Sequence, residues 1–97
     1  MATRSTIKVE SINYVKIYQH YDGHPKNMLP ILEEFNKNFE YHRPGDPEYK
    51  IAQLTGYLLN SEYTGHGLVS YSADCGQDYE YTLHEDGSVS YEDTYED

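Results

Sequence analysis

The stretch "DYEYTLHEDGSVSYE", residues 78–92, constrains the fold of this chain more than any other feature. Apolar and polar residues alternate on both sides of an Asp-Gly pair, a pattern typical of a β-hairpin with one buried face. A two-residue turn would pair Leu83 with Ser90 and mix the two faces. A three-residue loop with Gly87 in the left-handed conformation instead pairs Leu83 with Val89, so we predict this register.

Three further strands are predicted upstream of this hairpin. β-branched and aromatic residues favour strands at 5–10, 14–20 and 68–73, with a short turn at 11–13 between the first two.

Two helices are predicted between the second and third strands. Asn27 is the expected N-cap of a helix that runs to about Phe39, and Asp46-Pro47 begins a second helix that ends near residue 60 or 62. Gly56 either weakens the second helix or allows close packing. Apolar residues recur every three or four positions along both helices: Met28, Leu32, Phe35 and Phe39, then Ile51, Leu54 and Leu58.

The order of these elements, ββααβββ, predicts an α+β fold in which two helices pack on one face of an antiparallel sheet. A chain of 97 residues forms one small domain. We expect it to span residues 1–97, with an acidic hairpin at 77–93 and a frayed tail at 94–97.

No apolar run approaches the ~20 residues of a membrane span. The one cysteine, Cys75, excludes an internal disulfide, so we expect a cytoplasmic location.

The charge of the chain is concentrated at one end. The formal net charge is −10, and residues 74–97 hold nine of the 17 acidic residues and none of the seven Lys and Arg residues. In the predicted register Glu80 lies directly opposite Glu92, and we expect no base nearby to compensate them. A segregated acidic field attracts basic partners and repels nucleic acid. We therefore expect no direct binding of DNA or RNA.

This acidic strip is interpreted as a surface for a partner, because like charges on facing strands cost about 0.2–1 kcal/mol per pair. A solvated sheet face that discourages edge pairing remains the alternative. Neighbouring tyrosines can stack on arginine. The candidate partner-binding residues are Asp74, Asp78, Glu80, Glu85, Asp86, Glu92 and Asp93, together with Tyr79 and Tyr91.

The sequence does not predict an enzyme, a cofactor or a metal site. His20 and His24 flank Asp22 at a spacing that would suit a metal on a helix, but Gly23 and Pro25 predict a turn there. Cys75 has no predicted base beside it, and carboxylates on an open hairpin have no pocket.

A second binding mode uses the basic N-terminal hairpin and bases near it. Its bases and tyrosines suit a nucleotide-binding protein that sequesters a host immune signal. A structural protein of a virion is a third possibility. The residues of the nucleotide hypothesis are Arg4, Lys8, Lys16, Lys26 and Arg43, with Tyr14, Tyr18 and Tyr21.

The segments "MATRSTI" and "IYQHYDGHP" resemble the start of small phage and prophage proteins that read Ser-Thr-Ile and then Tyr-x-His-x-Asp-Gly-x-Pro. The matching positions are Ser5, Thr6, Ile7, Tyr18, His20, Asp22, Gly23 and Pro25. In size and charge the chain is similar to DNA-mimic anti-CRISPR proteins, including inhibitors of type I-F surveillance complexes, which share acidity and compactness rather than a motif. This resemblance implies a monomer or small oligomer that occupies the Lys- and Arg-lined DNA-binding cleft of a host CRISPR complex.

Overall fold

A computed structural model describes residues 3–42, 46–59, 66–73 and 75–93 of the chain. The predicted order ββααβββ and the α+β class are confirmed. Residues 94–97, predicted to fray, lie outside the described residues. The elements are β1 (Ser5–Val9), β2 (Val15–Gln19), α1 (Pro25–His42), α2 (Pro47–Leu59), β3 (His66–Ser70), β4 (Tyr79–Leu83) and β5 (Val89–Asp93).

The five strands form one sheet in the order β3-β2-β1-β4-β5. Three of the four pairings are antiparallel, but β4 runs parallel to β1, from Ser5 opposite Tyr79 to Val9 opposite Leu83. The prediction of an antiparallel sheet is therefore wrong at this central pairing. The amide of Asp78 donates to the carbonyl of Arg4 over 2.9 Å and aligns the beginnings of both strands. Alternation within a strand does not encode the direction of its neighbour.

The predicted register of the closing hairpin is confirmed. Leu83 pairs with Val89, and Glu80 pairs with Glu92. Gly87 has a φ of 93°, which is readily adopted by glycine and supports the longer loop.

Helix α1 begins earlier than predicted, whereas helix α2 begins as predicted. Helix α1 begins at Pro25, two residues before the predicted start, because proline at a first helical position needs no N–H partner. The Asn27 side chain donates to the Asp22 carbonyl instead of capping. In α2 the predicted cap is confirmed, since Asp46 Oδ1 accepts from the Tyr49 amide over 3.1 Å. Its predicted end at 60–62 lies outside the described residues.

Strand β3 begins and ends earlier than predicted. It spans His66–Ser70 rather than residues 68–73. The chain turns after Ser70 because the Ala73 amide donates to the Ser70 carbonyl over 3.0 Å.

Both helices pack on one face of the sheet, as predicted. Met28, Leu32, Leu54 and Leu58 are buried, with Phe39 also buried and Phe35 and Ile51 partly buried. They enclose odd-numbered residues of β1, β2 and β4, such as Ile7, Ile17, Tyr81 and Leu83. Neither described helix is long and apolar enough to cross a membrane.

The even-numbered residues of β1, β2, β4 and β5 lie on the opposite side of the sheet, because side chains alternate along a strand. We call this side the open face. On four of its strands it carries Thr6, Lys8, Lys16, Tyr18, Glu80, Thr82, Ser90 and Glu92.

Candidate functional site

Glu80 is the centre of a charged cluster on the open face. Its carboxylate lies 3.0 Å from Lys8 Nζ through Oε1 and 3.1 Å from Lys16 Nζ through Oε2. Thr6 Oγ1 donates to the same Oε2 over 2.8 Å. The parallel pairing of β1 and β4 brings these groups together. The expectation that no base lies near the acidic strip is therefore wrong at Glu80.

These contacts determine the protonation of the cluster. Burial alone would raise the pKa of Glu80, but hydrogen bonds from Lys8, Thr6 and Lys16 outweigh it and lower that pKa. Burial likewise opposes the charged form of Lys8, while Glu80 raises the Lys8 pKa above its ordinary value. The Lys8 ammonium also lies 4.5 Å from the centre of the Tyr71 ring. Glu80 and Lys8 therefore favour their charged forms at neutral pH.

Glu92 faces this cluster from the edge strand β5. It is exposed and lies directly opposite Glu80. A polar groove of about 240 Å³ runs beside both carboxylates, and its lining residues are Lys8, Glu80, Thr82, Ser90, Tyr91 and Glu92. Glu92 thus presents its charge to solvent, whereas the charge of Glu80 is balanced by two lysines.

Two more candidate acids lie in the loop of the hairpin. Glu85 accepts from Ser11 Oγ over 2.6 Å, and its own amide donates to Glu10 Oε1 over 2.7 Å. Asp86 Oδ1 accepts from the Ser88 hydroxyl at 2.6 Å and the Ser88 amide at 2.9 Å, which lower the Asp86 pKa. Both side chains remain exposed. They hold the loop in place and still offer negative charge to a partner.

The loop is anchored from beneath by two buried polar side chains that the sequence interpretation missed. Asn36 Nδ2 donates to the carbonyls of His84 at 3.0 Å and Ser88 at 2.8 Å. Lys50 Nζ donates to the His84 carbonyl at 3.3 Å and lies 5.6 Å from the centre of the Phe39 ring. Each residue lies four positions from a core leucine of its helix, Leu32 or Leu54, and this spacing could have indicated burial.

The candidate tyrosines lie on the opposite side of the hairpin from Glu80 and Glu92. Tyr79, Tyr81 and Tyr91 form a cluster with ring centroids 5.8–6.5 Å apart. Burial raises the pKa of Tyr81, whose hydroxyl donates to the Gly23 carbonyl over 2.5 Å. Partial burial, Asp93 and Asp78 raise the pKa of Tyr79. Tyr91 is 48% exposed and can contact a partner from this side.

The structure therefore divides the candidate residues into groups. Glu80 and Glu92 lie on the open face, whereas Tyr79, Tyr91 and Asp93 lie on the side that bears the helices. Glu85 and Asp86 are in the loop, and Asp78 precedes β4. Asp74 lies outside the described residues.

The His20, Asp22 and His24 segment forms a tight connection between β2 and α1. His20 Nδ1 lies 2.7 Å from the Tyr18 hydroxyl, and Asp22 has a φ of 57°. A Cβ atom on Gly23 would lie 2.7 Å from both Thr3 O and Ser5 Oγ, so this position requires glycine. Within the described parts of the chain, no group of three His, Cys, Asp or Glu residues could hold a metal ion.

A comparison of the chain with protein-family models, curated proteins and solved structures finds no significant match. Function is therefore inferred from the geometry and charge of the described residues.

Proposed function

We propose that this protein is a non-enzymatic phage counter-defence inhibitor that acts as an acidic DNA mimic in the cytoplasm of an infected bacterium. It occupies the Lys- and Arg-lined DNA-binding cleft of a host CRISPR surveillance complex and blocks the binding of target DNA. The observation that carries this proposal is the exposure of Glu85, Asp86, Glu92 and Asp93 on one hairpin at an edge of the sheet.

The arrangement of these carboxylates suits a cleft that binds DNA. Duplex DNA presents one negative charge per ~1.7 Å of its axis, and proteins bind it by neutralising phosphates with Lys and Arg. Residues 74–97 contain no Lys or Arg. The hairpin therefore presents acids to a basic cleft without bases of its own to repel it.

The hairpin is also held rigidly before it meets a partner. Asn36 and Lys50 bind its loop carbonyls from the helix side. On the open face, Lys8 and Lys16 bind Glu80. A preordered surface loses less conformational entropy on binding than a flexible acidic tail does.

The contacts of Glu80 give it a supporting role in this mechanism. Its charge is balanced by two lysines, so the exposed acids supply the attraction. These acids are Glu85, Asp86, Glu92 and Asp93. Lys16 is only 3% exposed. These same contacts count against the nucleotide-sequestering alternative at Lys8 and Lys16, because a phosphate would have to displace Glu80. Arg43 of that alternative lies outside the described residues.

The first experiment is a pull-down of the tagged protein from nuclease-treated host lysate at low and high salt. We expect a basic nucleoprotein complex that is retained at low salt and released at high salt, because counterions screen the attraction. Capture of a free nucleotide instead would contradict mimicry and support sequestration.

The second experiment measures binding of labelled target DNA to the captured complex in the presence of matched variants. Replacing Glu85, Glu92 and Asp93 by Gln, Gln and Asn removes three exposed hairpin charges. The control replaces the exposed helix acids Glu33, Glu34 and Glu48 by Gln and changes the net charge equally. We expect the control to displace DNA as the natural protein does and the hairpin variant to be at least ~10-fold weaker. Equal displacement by both would contradict the assignment of this surface.

A further inference from the structure

The two edges of the sheet differ in charge. Edge strand β5 ends in Glu92 and Asp93, whereas the opposite edge strand, β3, contains no Lys, Arg, Asp or Glu. Natural edge strands usually carry charges, proline or a bulge that prevent pairing with another chain. β3 has neither charge nor proline, and its central residue, Leu68, is 58% exposed.

Its backbone directs hydrogen-bonding groups outwards at defined positions. The Tyr71 amide donates to the Tyr14 carbonyl over 3.1 Å, in register with the pairing of β3 and β2. Because bonded and non-bonded pairs alternate in an antiparallel ladder, the N–H and C=O of Leu68 point away from β2. The Ser70 N–H points the same way, while the Ser70 carbonyl already accepts from the Ala73 amide. Within the described part of the chain, β3 pairs with β2 and with no other strand.

We propose that β3 pairs antiparallel with β3 of a second copy of this chain, about a two-fold axis at Leu68. Leu68 then faces its own counterpart, and the two residues exchange a pair of N–H···O=C hydrogen bonds. A two-fold interface uses the same patch on both subunits, so β3 of each copy contributes one half of it. The two sheets join into one continuous sheet with a β5 strand at each end.

The distribution of charge leaves β3 as the edge at which a second copy meets the least repulsion. Each chain carries a net charge of −10, so two copies repel one another at most surfaces. Pairing through β3 places the acidic hairpins at opposite ends of the joined sheet. Ten strands spaced by ~4.8 Å separate them by about 43 Å, which is several Debye lengths at physiological salt. Each dimer therefore keeps both acidic edges free.

The test is the mass of the full chain in solution, measured by sedimentation equilibrium over a range of concentrations. We expect a species of twice 11.3 kDa. Leu68→Lys places two ammonium groups together at the axis and should raise the dimer dissociation constant about 100-fold. Ser90→Lys, the same change in edge strand β5, should leave the dimer unchanged, and circular dichroism checks that both variants fold. A constant monomer mass of the natural chain, or a dimer insensitive to Leu68→Lys, would overturn the proposal.

Cross-linking tests the register independently of stability. The opposed Cα atoms of a bonded antiparallel pair lie about 5.5 Å apart, which permits a disulfide. In a Cys75→Ser background, Leu68→Cys should form a disulfide-linked dimer under mild oxidation, and Ser90→Cys should not. Cross-linking through Ser90→Cys alone would overturn the proposal by placing the interface at β5.

Discussion

Lys16 lies 3.1 Å from Glu80 although 64 residues separate them, and their ion pair crosses the intervening strand β1. It joins the N-terminal hairpin to the acidic hairpin on the open face. Thr6, on the crossed strand, donates to the same carboxylate oxygen. The pair therefore ties three strands together at the one place where the sheet is parallel.

Removing the carboxylate of Glu80 should destabilise the fold. Lys16 would be left as a buried ammonium without its nearest counter-charge, and breaking such a pair costs about 3 kcal/mol. We therefore expect Glu80→Gln to lower the free energy of unfolding by about that amount in urea denaturation. Glu92→Gln is the matched control, because Glu92 is exposed and should change stability by less than about 0.5 kcal/mol. Equal stability of the two variants would contradict a structural role for the pair.

The pH dependence of stability should report the same cluster. The pKa of Glu80 in the folded protein lies below its ordinary value of 4.5. Its ionisation therefore stabilises the fold above pH 4.5, and this contribution is lost as the pH falls through the lower folded pKa. The difference in unfolding free energy between the natural protein and Glu80→Gln should shrink as the pH is lowered from 7 to below 4. A difference that stays constant with pH would contradict this assignment.

His66 should weaken the fold in mild acid. Its imidazole lies 2.7 Å from Gln19 Oε1, and burial lowers its pKa below 6.5. The unfolded chain binds a proton more readily than the folded one, so stability falls as the pH drops through 6.5 and below. NMR titration of the imidazole should give a midpoint below 6.5. A midpoint at or above 6.5 would show that burial does not control this group.

Asn36→Ala should loosen the acidic loop from beneath. It removes the two hydrogen bonds to the carbonyls of His84 and Ser88, although these carbonyls still accept from Lys50 Nζ and from the His84 amide. Two lost hydrogen bonds cost about 1–3 kcal/mol. Amide exchange of His84 and Gly87 should accelerate at the same time. Asn38→Ala, on the exposed side of the same helix, is the matched control and should be neutral or slightly stabilising. Unchanged amide exchange in Asn36→Ala would show that the loop is ordered without the hydrogen bonds from Asn36.

Replacing Gly23 and Gly56 by alanine should have opposite effects on the stability of the protein. A Cβ on Gly23 would meet the Thr3 carbonyl oxygen at 2.7 Å, so Gly23→Ala should destabilise the protein by about 1–3 kcal/mol. A Cβ on Gly56 meets nothing within 4 Å, so this glycine does not allow close packing. Gly56→Ala should stabilise helix α2 by about 1 kcal/mol. Thermal unfolding of both variants tests the contrast, and a stabilised Gly23→Ala would contradict the tight fit of that loop.

Local patterns in the sequence were sufficient for the elements and for the closing hairpin. Strand alternation and Gly87 together predict that Leu83 pairs with Val89, since a slip by one residue would expose the apolar side chains. The Asp46 cap follows from its own neighbours in the same way. The exposed candidates Glu85, Asp86, Glu92 and Asp93 are likewise evident from charge and turn chemistry alone.

The tertiary structure alone decided which strands are neighbours and which charges meet. Alternation indicates the buried side of a strand, but it carries no information on the direction or identity of the next strand. The parallel pairing of β1 with β4 could therefore not be predicted, and neither could the contacts of Glu80 with Lys8 and Lys16 that depend on it. Ion pairs between residues far apart in the chain are determined by the packing of the whole domain. For this reason the sequence predicted an uncompensated acidic strip, and the fold supplied bases at its centre.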